Sequence, residues 1–199
     1  MRRTFFSFHY QPDVTRAYVV RNSWVVKPAE QQPNGFFDAS VFEASRKESE
    51  DALKRFLREG VENTSVTCVL AGSKTSERRW VRYEIARSVI KGNGILTVYI
   101  HGIKNMDGYT ASKGEDPLAS MGVYKANDGI YLAERIGGEW KKYADYTLAI
   151  PTGVLWFPAP TSNTVVKLSD HCLAYDYAGQ DGHKNIGGWI ETAANIAGR

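Results

Sequence analysis

Ser65-Val66-Thr67-Cys68-Val69-Leu70 and Ile95-Leu96-Thr97-Val98-Tyr99-Ile100 are two largely apolar runs, and the residues between them carry Val81, Ile85 and Val89 at helical spacing before stopping at Gly92-Asn93-Gly94. Strands that are apolar on both faces and are separated by a helix belong in a parallel sheet covered on both sides. Upstream the same rhythm repeats. A helix is predicted over 47–62, where Leu53, Phe56, Leu57, Gly60 and Val61 recur at i, i+3, i+4, i+7 and i+8. Thr4-Phe5-Phe6-Ser7-Phe8 reads as the first strand, followed by a helix over 14–25 with Asp13 as N-cap and Ala17, Val20 and Trp24 facing inward. Pro33-Asn34-Gly35 marks a turn into a short strand, Gly35-Phe36-Phe37-Asp38. The expected fold is a doubly wound α/β sheet, in which ligands collect at the carboxyl ends of the strands.

Beyond His101 the alternation breaks. Residues 105–116 are polar and glycine-bearing, 130–136 and 139–143 flank Gly137-Gly138 as a β-hairpin, 165–168 is a further candidate strand, and 184–197 reads as a closing helix with Trp189 inward. The chain is therefore expected to be one domain over 1–199, with a core over about 1–101, an insertion over about 102–170 and a C-terminal helix over about 184–197. A net charge of +3 comes from scattered basic residues, clustered only in Arg78-Arg79-x-Arg82, which implies no nucleic-acid partner. No run has membrane-spanning length and the start lacks a signal-peptide core, so a cytoplasmic protein with no membrane partner is expected. Cys68 and Cys172 are expected to be free thiols, and His9, His101, His171 and His183 lack metal-ligand spacing, so no metal is expected.

The helix over 76–93 also places Trp80 and Glu84 four residues apart, on one helical face. A carboxylate beside an indole, flanking a buried stripe, can be desolvated and its pKa raised, and can then meet a ligand's hydroxyls or a developing cation. The competing reading is a surface glutamate paired with Arg87 or Lys91.

Phe5-Phe6-Ser7-Phe8 resembles the opening box of TIR domains, Gly35-Phe36-Phe37-Asp38-Ala39-Ser40 occupies the place of their BB loop, and Trp80-Val81-Arg82-Tyr83-Glu84 matches their Trp-x-x-x-Glu signature. Ser7-Phe8-His9-Tyr10, Val20-Arg21-Asn22-Ser23-Trp24, the segment from Asn63 to Leu70 and the segment from Arg79 to Ile85 more closely resemble the ThsB family, the TIR-like proteins of bacterial Thoeris anti-phage systems. The similarity runs almost the whole length. It implies a flavodoxin-like fold, cleavage of NAD+ at the nicotinamide–ribose bond after phage infection, and release of an ADP-ribose-derived messenger that activates a ThsA-type effector. It also implies self-assembly on activation by a phage-derived trigger, with NAD+ as substrate and no separate cofactor.

On this reading Glu84 is the catalytic candidate, because a carboxylate that holds the ribose hydroxyls stabilises an oxocarbenium-like state. Phe6, Ser7, His9, Arg16, Asp38 and Trp80 are the substrate-binding candidates. Four of them have a competing reading: Phe6 as core, His9 as a loop residue without a role, Asp38 as a turn cap, Trp80 as a packing wall. Arg16 and Arg21 are possible pyrophosphate ligands, and Arg21 and Asn22 have structural alternatives. Asp176, Asp181 and His183 are polar but not singled out by spacing. A non-catalytic TIR-like adaptor acting through assembly is the main functional alternative. A flavin-binding or receiver-type protein fits less well, because the first strand ends in Ser-Phe-His without an acidic pair or a phosphate cradle.

Overall fold

The computed structural model describes residues 2–25, 47–126, 128–161 and 164–199. The strand expected at 35–38, Asp38 within it and the side chain of Trp24 lie outside what is described. Among the described residues, four parallel strands form the central sheet in the order β1-β2-β3-β8: β1 Thr4–Phe8, β2 Val66–Ala71, β3 Gly94–Tyr99 and β8 Leu173–Asp176. The first three follow the apolar runs. The fourth lies at residues 173–176, where no strand was expected, and pairs Leu96 with Leu173.

The helices are α1 Tyr10–Val25, α2 Glu50–Glu62, α3 Arg79–Lys91 and α4 Gly182–Ile196. The first starts earlier than the sequence reading placed it. Pro12 is tolerated in the opening turn, where its missing N–H has no helical partner, and the Asp13 amide already donates to the His9 carbonyl at 3.3 Å. Asp13 is thus a buried first-turn residue and not the N-cap. Ser49 caps α2 by accepting from the Ala52 amide at 3.0 Å. Gly92 ends α3 at φ 73°, a left-handed conformation that costs glycine no Cβ clash.

On one face of the sheet, Phe6, Cys68, Leu70 and Val98 pack with Ala17 and Val20 of α1 and Ile186 and Ile190 of α4. On the other, Val69 and Ile95 pack with Val81, Ile85 and Val89 of α3. Burial of each aliphatic side chain in that stripe contributes about 1.5–3 kcal/mol, which fixes the rotation of α3 about its axis. Behind α3 lies a second sheet, antiparallel, in the order β6-β5-β4-β7, with β4 Met121–Ala126, β5 Gly129–Ile136, β6 Glu139–Lys142 and β7 Val165–Lys167. The expected hairpin is its β5–β6 pair. Met121, Val123 and Leu132 of this sheet share the core of α3, so the insertion is packed on the outer side of the helix that carries Glu84. Both cysteines are free.

Candidate active site

Strand alternation at β1 decides what faces α3. Phe6 and Ser7 project to opposite sides, and with Phe6 in the α1/α4 core at 1% exposure, Ser7 points at α3. Its Oγ donates a hydrogen bond to Glu84 Oε2, and both residues are buried. Burial pushes the Glu84 carboxyl up to about 8, against a smaller downward pull from the Ser7 hydrogen bond. At pH 7 a group with that pKa is ionised in roughly one molecule in ten.

The turn of α3 that carries Glu84 is tied to the sheet independently of the carboxyl. Ser88 Oγ donates to the Glu84 carbonyl at 2.7 Å and lies 2.6 Å from Thr67 Oγ1 on β2. The surface-pair reading of Glu84 is excluded, because Arg87 and Lys91 both lie next to Glu62 of α2, at 3.8 and 3.9 Å.

His9 follows β1 directly, beside the loop that leaves β2. Its Nδ1 is buried and has no hydrogen-bond partner among the described residues. Burial first, then the charges of Arg78 and Lys74, hold its imidazole below the usual pKa, with Glu77 opposing. Arg78 occupies the N-cap position of α3 but makes no side-chain cap bond, and its Nε is likewise buried and unpartnered. Ser7, His9, Arg78 and Glu84 thus gather at the carboxyl ends of β1 and β2.

The remaining candidates are placed elsewhere. Phe6 lies in the core on the far side of the sheet, so it is not positioned to stack on a ligand beside Glu84. Trp80 shares a helical stripe with Glu84, yet its indole packs with Leu53, Leu57 and Tyr83, edge-on to Tyr83 at 6.1 Å and under the Arg79 guanidinium at 4.9 Å. It is the packing wall of the two readings.

Arg16 is not free for a pyrophosphate. Its Nε donates to the Ile103 carbonyl at 2.9 Å, Nη1 to Pro12 at 3.1 Å and Nη2 to Tyr109 at 3.1 Å, and Nη1 stands 3.6 Å from Asp13. These bonds strap the loop that follows β3 onto α1. Further along, a Cβ on Gly114 would collide with the Gly72 and Ser73 carbonyls, so this loop rests on the end of β2. It roofs the strand ends, a wall the motifs did not map. Asp13 sits against Gly72 under the same roof, and burial raises its pKa despite Arg16 and Thr75. Sequence reasoning missed Arg78, although its place two residues before the Trp-x-x-x-Glu segment puts it at the carboxyl edge of the sheet.

A parallel doubly wound sheet with a buried helical glutamate held by the serine of its first strand is the architecture of a TIR-like domain. Residues 5–105 match the family model described as Thoeris protein ThsB, TIR-like domain, and the chain belongs to that family. It is similar to a Bacillus cereus (strain MSX-D12) protein named "Putative cyclic ADP-D-ribose synthase ThsB1", 41% identical over 192 residues that cover 95% of this chain and 98% of that one. No helix among the described residues is long and apolar enough to cross a membrane, and no group of three or more His, Cys, Asp or Glu among them is arranged to hold a metal ion.

Proposed function

We propose that this chain cleaves NAD+ at the nicotinamide–ribose bond on phage infection and closes the ADP-ribosyl portion into a cyclic messenger that activates a ThsA-type effector. The observation that carries the reading is the buried Glu84 carboxyl beside Ser7 at the carboxyl edge of the sheet. The name of the Bacillus relative agrees with it.

The chemistry needs little more than a positioned charge. The C–N bond breaks with its electron pair leaving on nicotinamide, which departs neutral and requires no proton. Positive charge develops on the ribose, and a carboxylate against the ribose hydroxyls stabilises it. A hydroxyl elsewhere on the same molecule then attacks C1′ and loses its proton, giving the cyclic product; capture by water gives ADP-ribose. NAD+ is the substrate and no separate cofactor is invoked.

Burial holds Glu84 mostly protonated at neutral pH. An entering nicotinamide cation favours the carboxylate, so ionisation accompanies binding. A phage-derived trigger and self-assembly complete a resting site that is otherwise slow, which spares the host's NAD+.

Glu84→Gln tests the reading. It keeps the size and the helix, removes the charge, and should lower messenger production on the order of 100-fold to 1000-fold. Extracts of infected cells expressing either protein are assayed for activation of the effector, with circular dichroism of the purified variant as the control for folding. Full activation by the Glu84→Gln extract would make Glu84 structural and favour an adaptor.

A further inference from the structure

We propose that Arg78 and His9 form an anion subsite at the carboxyl ends of β1 and β2 that holds the pyrophosphate of a dinucleotide. The inference rests on the NAD+-cleaving reading and assigns the part of the substrate that lies away from the reacting ribose.

Two nitrogens carry it. His9 Nδ1 and Arg78 Nε are each buried without a hydrogen-bond partner among the described residues. Leaving a buried polar atom unpaired costs about 1–3 kcal/mol, and more for a charged group, so two such atoms in one corner call for an acceptor from outside the chain. The guanidinium of Arg78 is a fork that meets phosphate oxygens in a bidentate way. Lys74 adds a second positive charge near His9, and Glu77 is the opposing carboxylate. The acceptor that suits this surplus is an anion.

His9 contributes in its neutral form. With Nδ1 protonated it donates a hydrogen bond to a phosphate oxygen without adding charge, consistent with the downward shift of its pKa. The location fits a dinucleotide. His9 lies two residues beyond Ser7 on the same strand, and Arg78 lies at the start of the helix that carries Glu84. A ligand with its ribose at Glu84 and its phosphates over the strand ends would follow the crevice where open α/β sheets collect ligands. Arg16 is the competing arginine, and its guanidinium is already taken by backbone carbonyls.

The test uses the full chain carrying Glu84→Gln, so that bound ligand is not turned over. ADP-ribose is titrated calorimetrically into that protein and into versions that also carry Arg78→Gln, Arg78→Lys or His9→Ala, each at two salt concentrations. Arg78→Gln should weaken ADP-ribose about tenfold to a hundredfold and flatten the salt dependence. Arg78→Lys should recover part of the affinity and the salt dependence, because the charge remains while the fork is lost. His9→Ala should weaken binding by a smaller factor. ADP-ribose affinity unchanged in Arg78→Gln would overturn the subsite and leave the proposed reaction standing. Equal weakening by Arg78→Gln and Arg78→Lys, with a lowered thermal midpoint in both, would assign Arg78 a structural role and also overturn it. If the parent protein binds neither ADP-ribose nor NAD+, the proposed reaction itself falls, and the subsite with it.

Discussion

Replacing Glu84 by Gln should change not only activity but the pH dependence of folding. A carboxyl moved from 4.5 to about 8 by burial holds a proton in the folded state that the unfolded chain has already released between those values. Folding therefore takes up a proton in that window. The stability contributed is complete below the unfolded pKa and is lost as pH rises through the folded one. With these two values, the wild-type protein should lose about 2–3 kcal/mol between pH 5 and 7, and about 3–4 kcal/mol between pH 5 and 8. Gln has no proton to release, occupies the same volume and can still accept the Ser7 hydrogen bond. Near pH 5, where folded Glu84 is neutral, the two proteins should be close in stability. By pH 8 the variant should be the more stable by roughly 3 kcal/mol, a widening to which other titrating groups contribute little because both proteins share them. Urea unfolding at pH 5, 6, 7 and 8, followed by far-ultraviolet circular dichroism and analysed by linear extrapolation, measures the gap directly. Two parallel stability curves from pH 5 to 8 would refute the raised pKa, and with it the desolvated setting of the carboxyl.

Ser7→Ala removes the hydrogen bond that lowers the Glu84 pKa, so the carboxyl should titrate at still higher pH. Carbon-13 NMR of labelled glutamate side chains checks the direction, and a fall or no change would show that Ser7 does not stabilise the carboxylate. Cys68 is fully buried in β2, and burial alone drives its thiol well above the usual range, so it is inert as a nucleophile. Cys68→Ala should cost about 1 kcal/mol of stability and leave messenger production intact; loss of signalling with an unchanged fold would contradict this.

The parts of the fold that were legible were those whose signal is local. β2 and β3 are continuous apolar runs, α3 ends on a glycine, and the β5–β6 pair turns at Gly137-Gly138. β4 was not read because Gly122 interrupts Met121-Gly122-Val123-Tyr124; a Cβ at that position would stand 2.7 Å from Val165 Cγ1 and from the Val166 carbonyl on β7. β8 is four residues long with no fully buried position, so nothing in its composition marks it as the fourth strand of the main sheet. Within the site, Glu84 was legible from its spacing to Trp80, and Ser7 from its place on the first strand. Phe6 should have been separated from Ser7 at once, since neighbours on a strand face opposite ways. Arg16 was not separable from a phosphate ligand by sequence. Two of the carbonyls that occupy it belong to Ile103 and Tyr109, 87 and 93 residues away, and only the folded chain brings them to it.

What the structure withholds from Glu84 is as informative as what it supplies. Among the described residues its pKa is set by burial and the Ser7 hydrogen bond, with no cation among the causes. The basic residues one turn and two turns along the helix, Arg87 and Lys91, lie beside Glu62. Had either reached the carboxyl, it would have been a conventional ion pair, ionised at every physiological pH and already neutralised. A buried carboxyl without such a partner, once it ionises as a cation enters, keeps its full attraction for that charge, because little solvent is left to screen it. The rigidity comes from elsewhere, from the Val81, Ile85 and Val89 stripe and from the Thr67–Ser88 contact under the Glu84 carbonyl, so Glu84 is not needed to hold the fold together. In the proposed reaction the missing positive charge is brought by the substrate, first as the nicotinamide cation and then as the charge that develops on the ribose. A site arranged in this way stabilises the cationic ring more than the neutral product that replaces it, which is the difference in binding that accelerates the step.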